Sequence, residues 1–189
     1  MTQLPPVHED KPAPEPLLAV QTFVNTRDLE YGTDLLADAE TGNQWLRKAG
    51  LLAPGGTAHE AELAAARELR ESIRSVLALN GRDPAPGAID LSPFEAVARA
   101  SRPRLTIGPD GQVGLGPEDG GRLADGLLGL LLIIRDAQRD GTWSRLKICG
   151  NPDCLYAFYD RSHSRRGAWC DMASCGNLIK NRNLRARRR

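Results

Sequence analysis

The chain has 189 residues, 26% charged and 41% hydrophobic, with a formal net charge of +1. That length allows one ordinary core and a small satellite module. Its longest apolar run, Leu127–Ile134, is broken by Gly129 and is too short to span a bilayer. The near-neutral total hides two opposed parts: residues 145–189 carry eleven Lys/Arg against three Asp/Glu, a net of +8, while residues 1–144 carry a net of −7. Only the C-terminal part suits a polyanion, so the asymmetry argues for two jobs in one chain.

Residues 1–16 contain five prolines and few apolar anchors, which predicts a disordered leader. They lack the basic-then-apolar pattern of a secretory signal, so we expect a cytoplasmic protein with reduced thiols. Leu17–Thr26 predicts a mostly buried helix with Pro16 at its first position. Asp34-Leu35-Leu36 precedes a short helix around Asn43–Leu51, with Trp45 and Leu46 in the core. Thr57-Ala58-His59-Glu60 reads as a capping box opening a helix over about 58–79. On that helix Leu63, Ala66, Leu69, Ile73, Val76 and Leu77 share one face. Ser92-Pro93-Phe94-Glu95 repeats the box and starts a helix to about Ala100.

Arg104–Ile107 and Gln112–Leu115, joined through Asp110-Gly111, predict a small β-hairpin. A Leu/Ile-rich helix follows over roughly 119–139, stopping at Gly141, and Thr142–Ile148 predicts a strand or extended link. The fold class expected is thus mainly α with a small hairpin (α+β), followed by a compact C-terminal module of ββα-like form. The three segments are 1–16 (leader), 17–141 (helical body) and 142–189 (module).

All four cysteines fall in that module, as Cys149-x4-Cys154 and Cys170-x4-Cys175. Two close pairs suit a single closed tetrahedral Zn²⁺ site, because each pair folds back to offer two thiolates. The competing reading is two disulfides or unrelated buried thiols, which the regular spacing, the clustering and the expected reducing compartment disfavour. Four thiolates leave no position for a catalytic water, so the zinc is expected to be structural. His163 reads as solvated or phosphate-facing, and Asp171 as a helix cap. Between the pairs we expect a strand through Phe158-Tyr159, a turn at Asp160–Arg166 and a return strand at Ala168–Cys170. Phe158 and Trp169 would supply a tiny core.

The tail is predicted to be helical from about Met172 or Ala173, with Ile179 and Ala186 as a docking stripe. Its basic edges, together with the turn, nominate Arg165, Arg166, Lys180, Arg182, Arg185, Arg187, Arg188 and Arg189 as nucleic-acid contacts.

The C-terminal residues resemble the CGNR-type zinc finger: Cys149-Gly150-Asn151-Pro152-Asp153-Cys154, Phe158-Tyr159-Asp160-Arg161-Ser162, Trp169-Cys170-Asp171-Met172 and Cys175-Gly176-Asn177. The preceding chain resembles the ABATE-type domain found with that finger in bacterial proteins. The matching elements are Phe23-Val24-Asn25-Thr26, Asp34-Leu35-Leu36, Trp45-Leu46 and Ala66-Arg67-Glu68-Leu69-Arg70. The resemblance implies a stress-related transcription regulator that binds DNA through the finger and senses a signal, or dimerises, through the helical domain. The family's run after the last cysteine is Gly-Asn-Arg-x-Lys-x-Arg. Here Leu178 replaces the first arginine, while Lys180 and Arg182 fit.

Asn25, Thr26, Arg67 and Arg70 are the candidate contacts for a small-molecule effector, with Arg74 continuing the strip. The alternative is a surface flank paired with Glu60 and Glu71. No nucleophile–histidine–acid set, phosphate-cradling loop or His-Glu-x-x-His stands out, so no enzyme is expected. Two other functions use the same module: RNA or ribosome binding, and a structural finger that binds an acidic protein partner.

Overall fold

Five apolar residues at helical spacing organise the core. The computed structural model describes residues 11–81, 88–118 and 121–187. Within it α3 (Glu60–Ala78) buries Leu63, Ala66, Leu69, Ile73 and Leu77 completely, with Val76 half-buried. These side chains pack against α1 (Leu18–Val24) and α5 (Leu123–Asp140). α2 (Ala39–Lys48) and α4 (Ser92–Ala100) flank them. α5 runs so close to the turn after α2 that a Cβ on Gly126 would collide with the Leu51 carbonyl, so only glycine fits there. α5 ends at Gly141, whose φ of +80° lets the chain leave the helix.

Helix starts differ from the sequence expectation for local reasons. α2 begins at Ala39 because Asp38 caps it, its carboxylate accepting from the Thr41 N–H at 2.9 Å. The box of α3 slides from Thr57…Glu60 to His59…Glu62, where Glu62 accepts from the His59 N–H. Ala58 cannot join the helix because the Asn43 amide binds both its N–H (2.6 Å) and its C=O (3.0 Å). α4 starts with Ser92 inside the helix and Leu91 at its cap position, so no box forms there. The 119–120 start expected for α5 lies outside the described residues.

A two-residue ladder, β1 (Arg27–Asp28) with β2 (Thr33–Asp34), follows α1 and is too short to leave a pattern in the sequence. The expected hairpin forms as β3 (Pro103–Ile107) and β4 (Val113–Pro117), with Leu105 opposite Leu115 and Ile107 opposite Val113. After a 3₁₀ turn at Trp143–Arg145, β5 (Leu146–Ile148) pairs antiparallel with β6 (Ala157–Tyr159). α6 (Asn177–Arg187) completes a ββα arrangement.

This ββα unit is not a separate bead. Leu146, Ala157 and Tyr159 belong to the main hydrophobic core with Trp143. The outer edge of β6 is closed by the body. Asn25 accepts from the Ala157 N–H at 2.7 Å and donates to its C=O at 2.9 Å, and Gln21 donates to the same C=O at 3.2 Å. The Lys11 C=O accepts from the Tyr159 N–H at 2.9 Å.

The leader expected over 1–16 is thereby corrected in part. Residues 1–10 lie outside the described residues, but 11–16 is a packed strap. Ala13 is buried, its N–H held by Gln21 at 2.7 Å, and Lys11 Nζ donates to the Trp169 C=O at 2.8 Å. Proline content reads as looseness only when no partner is visible in sequence. Here Gln21 is near in sequence, but Tyr159 and Trp169 are more than a hundred residues away.

Asn25→Ala strands the buried Ala157 N–H. Denaturant titration should show a loss of about 1–3 kcal/mol, and an unchanged midpoint would contradict the edge-closing role.

Candidate metal centre and basic face

The loop between β5 and β6 turns tightly enough to bring its two cysteines together. The Cys149 N–H bonds the Tyr156 C=O at 2.8 Å, and the N–H groups of Cys154 and Leu155 both reach the Asn151 C=O at 3.0 and 3.1 Å. Leu155 takes a φ of +51° to complete the reversal. The second pair sits on a cap. Asp171 accepts from the Ser174 N–H at 2.7 Å, and one wide turn, Met172–Gly176, closes with Gly176 N–H on the Asp171 C=O.

The four Sγ atoms lie within 4.8 Å of one another, with Cys149, Cys154 and Cys175 buried and Cys170 half-buried. Two of the separations are 3.7 Å (Cys154–Cys170) and 3.8 Å (Cys170–Cys175). A tetrahedron of zinc–sulfur bonds of about 2.3 Å has edges of about 3.8 Å, whereas a disulfide requires about 2.05 Å. The donor set therefore fits one thiophilic ion, and the disulfide reading is excluded.

Thiol chemistry agrees. S–H donation from Cys154 and Cys170 holds Cys149 far below the ordinary thiol range. Cys154 and Cys170 are pushed up because they supply that donation to Cys149 and face its charge. Four negative sulfurs cannot share this space unaided, and a divalent cation removes the conflict. Asn151 Nδ2 lies 3.4 Å from Cys175 Sγ and orients that ligand.

The aromatic neighbours of the cluster are Tyr156 and Trp169. Phe158, expected beside Trp169, instead lies under the Lys11 ammonium at 5.1 Å. The return strand expected at Ala168–Cys170 is reduced to one bond, Gly150 N–H to the Ala168 C=O. β6 already pairs with β5 on one side and with α1 and Lys11 on the other, so it has no free edge to give.

A buried ion pair fixes the turn. Lys147 Nζ, 4% exposed as a residue, donates to Asp160 at 2.9 Å and to the carbonyls of Arg165 and Gly167. Burial works against the Asp160 charge, but donation from Ser162, Lys147 and Gly167 outweighs it and holds the carboxyl well below its ordinary range. Residues 161–166 are all exposed on this base, so Arg165 and Arg166 are presented to solvent.

On α6, Lys180, Arg182 and Arg185 are exposed, and Arg182 makes a surface pair with Asp153 at 2.9 Å. The docking stripe is corrected: Ile179 is half-buried but Ala186 is exposed. One small side chain two turns on gives the knuckle nothing to grip, so the helix is anchored by its first turn and then projects. The Arg187 side chain, Arg188 and Arg189 lie outside the described residues.

The candidate effector residues are brought together, but they bind protein atoms. Arg70 forks onto Asp34 at 2.6 and 2.8 Å and also reaches Glu71 and Thr26. Arg67 bonds the Leu36 C=O and Glu60. Burial opposes the Asp34 charge, yet the Arg70 fork and the Leu36 N–H keep its carboxyl below the usual value. The strip is paired with acids as the alternative reading expects, Glu60 and Glu71 among them, and Asn25 bonds Ala157.

Two interactions, the Arg74 tie and the Lys147–Asp160 pair, lay outside the sequence reading. Arg74 donates to the carbonyls of Val24 (2.8 Å) and Leu155 (2.6 Å), tying α1 to the residue beside Cys154. Lys147 and Asp160 were recognisable only as charges beside otherwise apolar strands.

Comparison with known families gives two matches in chain order. The ABATE model, described as "Putative stress-induced transcription regulator", matches residues 19–139. The CGNR zinc finger model matches residues 145–188. No curated protein matches the chain. No helix among the described residues is long and apolar enough to cross a membrane.

The Lys147–Asp160 contribution is fully present above the ordinary Asp value of 3.8 and is lost only as pH falls through the lower folded value. Thiolates take up protons earlier, so chelator at about pH 5 should strip the metal. Hydrogen exchange should then show α6 opened but the Ser162 and Gly167 amides still protected. Loss of that protection together with the metal would contradict the independent hold of the ion pair.

Proposed function

This chain belongs to the ABATE family and carries a CGNR zinc finger, and from that premise we propose that it regulates transcription by laying α6 on duplex DNA. The observation that carries the reading is the exposure of α6. Of its described side chains only Ile179 is half-buried, while Asn177, Leu178, Lys180, Asn181, Arg182, Leu184, Arg185 and Ala186 are all exposed. A helix of 11 residues is marginal in water without tertiary packing. One that projects from a rigid knuckle, with Lys180, Arg182, Arg185 and Arg187 and no acid, is built for an anionic partner.

Zinc is the ion we assign to the four thiolates. Cys149, Cys154, Cys170 and Cys175 would hold it, and its charge lets all four sulfurs ionise in one place. The role of the metal is to fix the wide turn Met172–Gly176 and so to aim α6. With all four positions filled by protein, no coordination site remains for substrate, which supports a binding protein and not an enzyme. The exposed turn 161–166 supplies Arg165 and Arg166 as a second phosphate contact, and in this reading the protein acts in the cytoplasm.

Lys180→Glu combined with Arg182→Glu should weaken binding to duplexes of every sequence. It should also lower the magnitude of the log–log salt slope by about 2 if each side chain neutralises one phosphate. Fluorescence anisotropy across a salt series measures both quantities. An unchanged slope would count against phosphate contact through this helix, and preferential binding of structured RNA over duplex DNA would redirect the reading.

A further inference from the structure

Asparagine is used sparingly in this fold, and each described use but one is accounted for. Asn25 closes the edge of β6, and Asn43 brackets Ala58. Asn80 donates to the carbonyls of Trp143 and Leu146, each at 2.9 Å. Asn151 orients Cys175, and Asn177 donates to the Ala173 C=O at the start of α6. Asn181 is the exception. It sits in the middle of α6, exposed, with no hydrogen-bond partner among the described residues. Asparagine is a poor residue for a helix interior, and here it contributes nothing to the fold.

Its position on the helix is informative. At 100° per residue, Asn181 lies about 160° around the axis from Ile179, the residue that docks on the knuckle. It therefore lies on the opposite side of the helix from the docked residue and opens onto solvent. Arg185 follows one turn later on the same stripe, with Leu178 and Arg182 on one flank and Lys180 and Leu184 on the other. Asn181, Arg185, Leu178, Arg182 and Asp153 together line an open hollow of about 440 Å³. An amide and a guanidinium are thus aligned along the outermost edge, with cations to both sides.

Resting on the DNA-binding reading above, we propose that Asn181 reads an adenine edge in the major groove and Arg185 reads a guanine about two steps away. The groove, about 12 Å wide, admits a helix. Asparagine matches adenine bidentately, accepting from N6–H and donating to N7, and arginine matches guanine O6 and N7. Four residues of helix rise about 6 Å, close to two base-pair steps of about 3.4 Å. The flanking Lys180 and Arg182 reach phosphates, which position the helix without reading sequence.

The test begins with selection of duplexes from random-sequence DNA by the zinc-loaded whole chain. The selected duplex is then remade with 7-deazaadenine at single positions. Wild type should lose roughly 5- to 150-fold in affinity at one adenine. Asn181→Ala should lose nothing further from that replacement, and should keep its affinity for unrelated duplexes and its salt slope. Asn181→Leu, close in shape but without the amide, should also lose the adenine preference. Zinc content and helicity equal to wild type confirm that both variants are folded. Arg185→Ala should flatten preference at a guanine two steps off. The inference is overturned if no 7-deazaadenine position affects wild type, or if Asn181→Ala weakens matched and mismatched duplexes alike. Binding of all duplexes equally overturns base reading while leaving DNA binding intact, and failure to bind any duplex overturns both.

Discussion

Four sulfur atoms within 4.8 Å of one another set the terms for the C-terminal quarter of this protein. Uncompensated, the charge on Cys149 opposes ionisation of Cys154 and Cys170 beside it. A single dication reverses that balance and converts a repulsive cluster into a closed knot. The knot fixes the reversal at Leu155, the cap at Asp171 and the wide turn Met172–Gly176. From that turn α6 leaves the protein in one direction. The helix has almost no packing of its own, so its aim is inherited entirely from the metal centre.

The finger is equally dependent on the helical body. β5 and β6 place Leu146, Ala157 and Tyr159 in the main core, and α1 finishes the edge of β6 with side-chain amides in place of a third strand. Arg74 of α3 reaches across to the Leu155 carbonyl next to Cys154, and Lys11 bonds the Trp169 carbonyl next to Cys170. Both ligand pairs are therefore contacted from the body, one through α3 and one through the N-terminal strap. A rearrangement of α1 or α3 must shift the backbone that carries the cysteines. That mechanical link joins the helical domain to the exposed face of α6, and it operates without an anion bound at Arg67 or Arg70.

Much of this was legible in the sequence because it rests on local signals. The apolar stripe of α3, the Asp-Gly hairpin, the glycine stop after α5 and the cysteine spacing are each contained within a few turns of chain. What escaped depends on distant partners. The Asn43–Ala58 bracket moves a capping box by two residues, and the Asn25–Ala157 pair uses a residue 132 positions away. The pairing of the Arg67–Arg70–Arg74 strip with Glu60 and Glu71 was legible on one helix, but its Asp34 and carbonyl partners come from other elements. Lys11–Pro16 looked disordered because its partners are Tyr159 and Trp169. The docking stripe on α6 failed for the opposite reason: helical periodicity was present, but no surface lay opposite Ala186.

X-ray absorption at the metal edge of the reduced, freshly purified chain examines the knot itself. The account predicts one zinc per chain with four sulfur neighbours at about 2.3 Å. Absence of a transition metal, or a first shell containing nitrogen or oxygen, would contradict it.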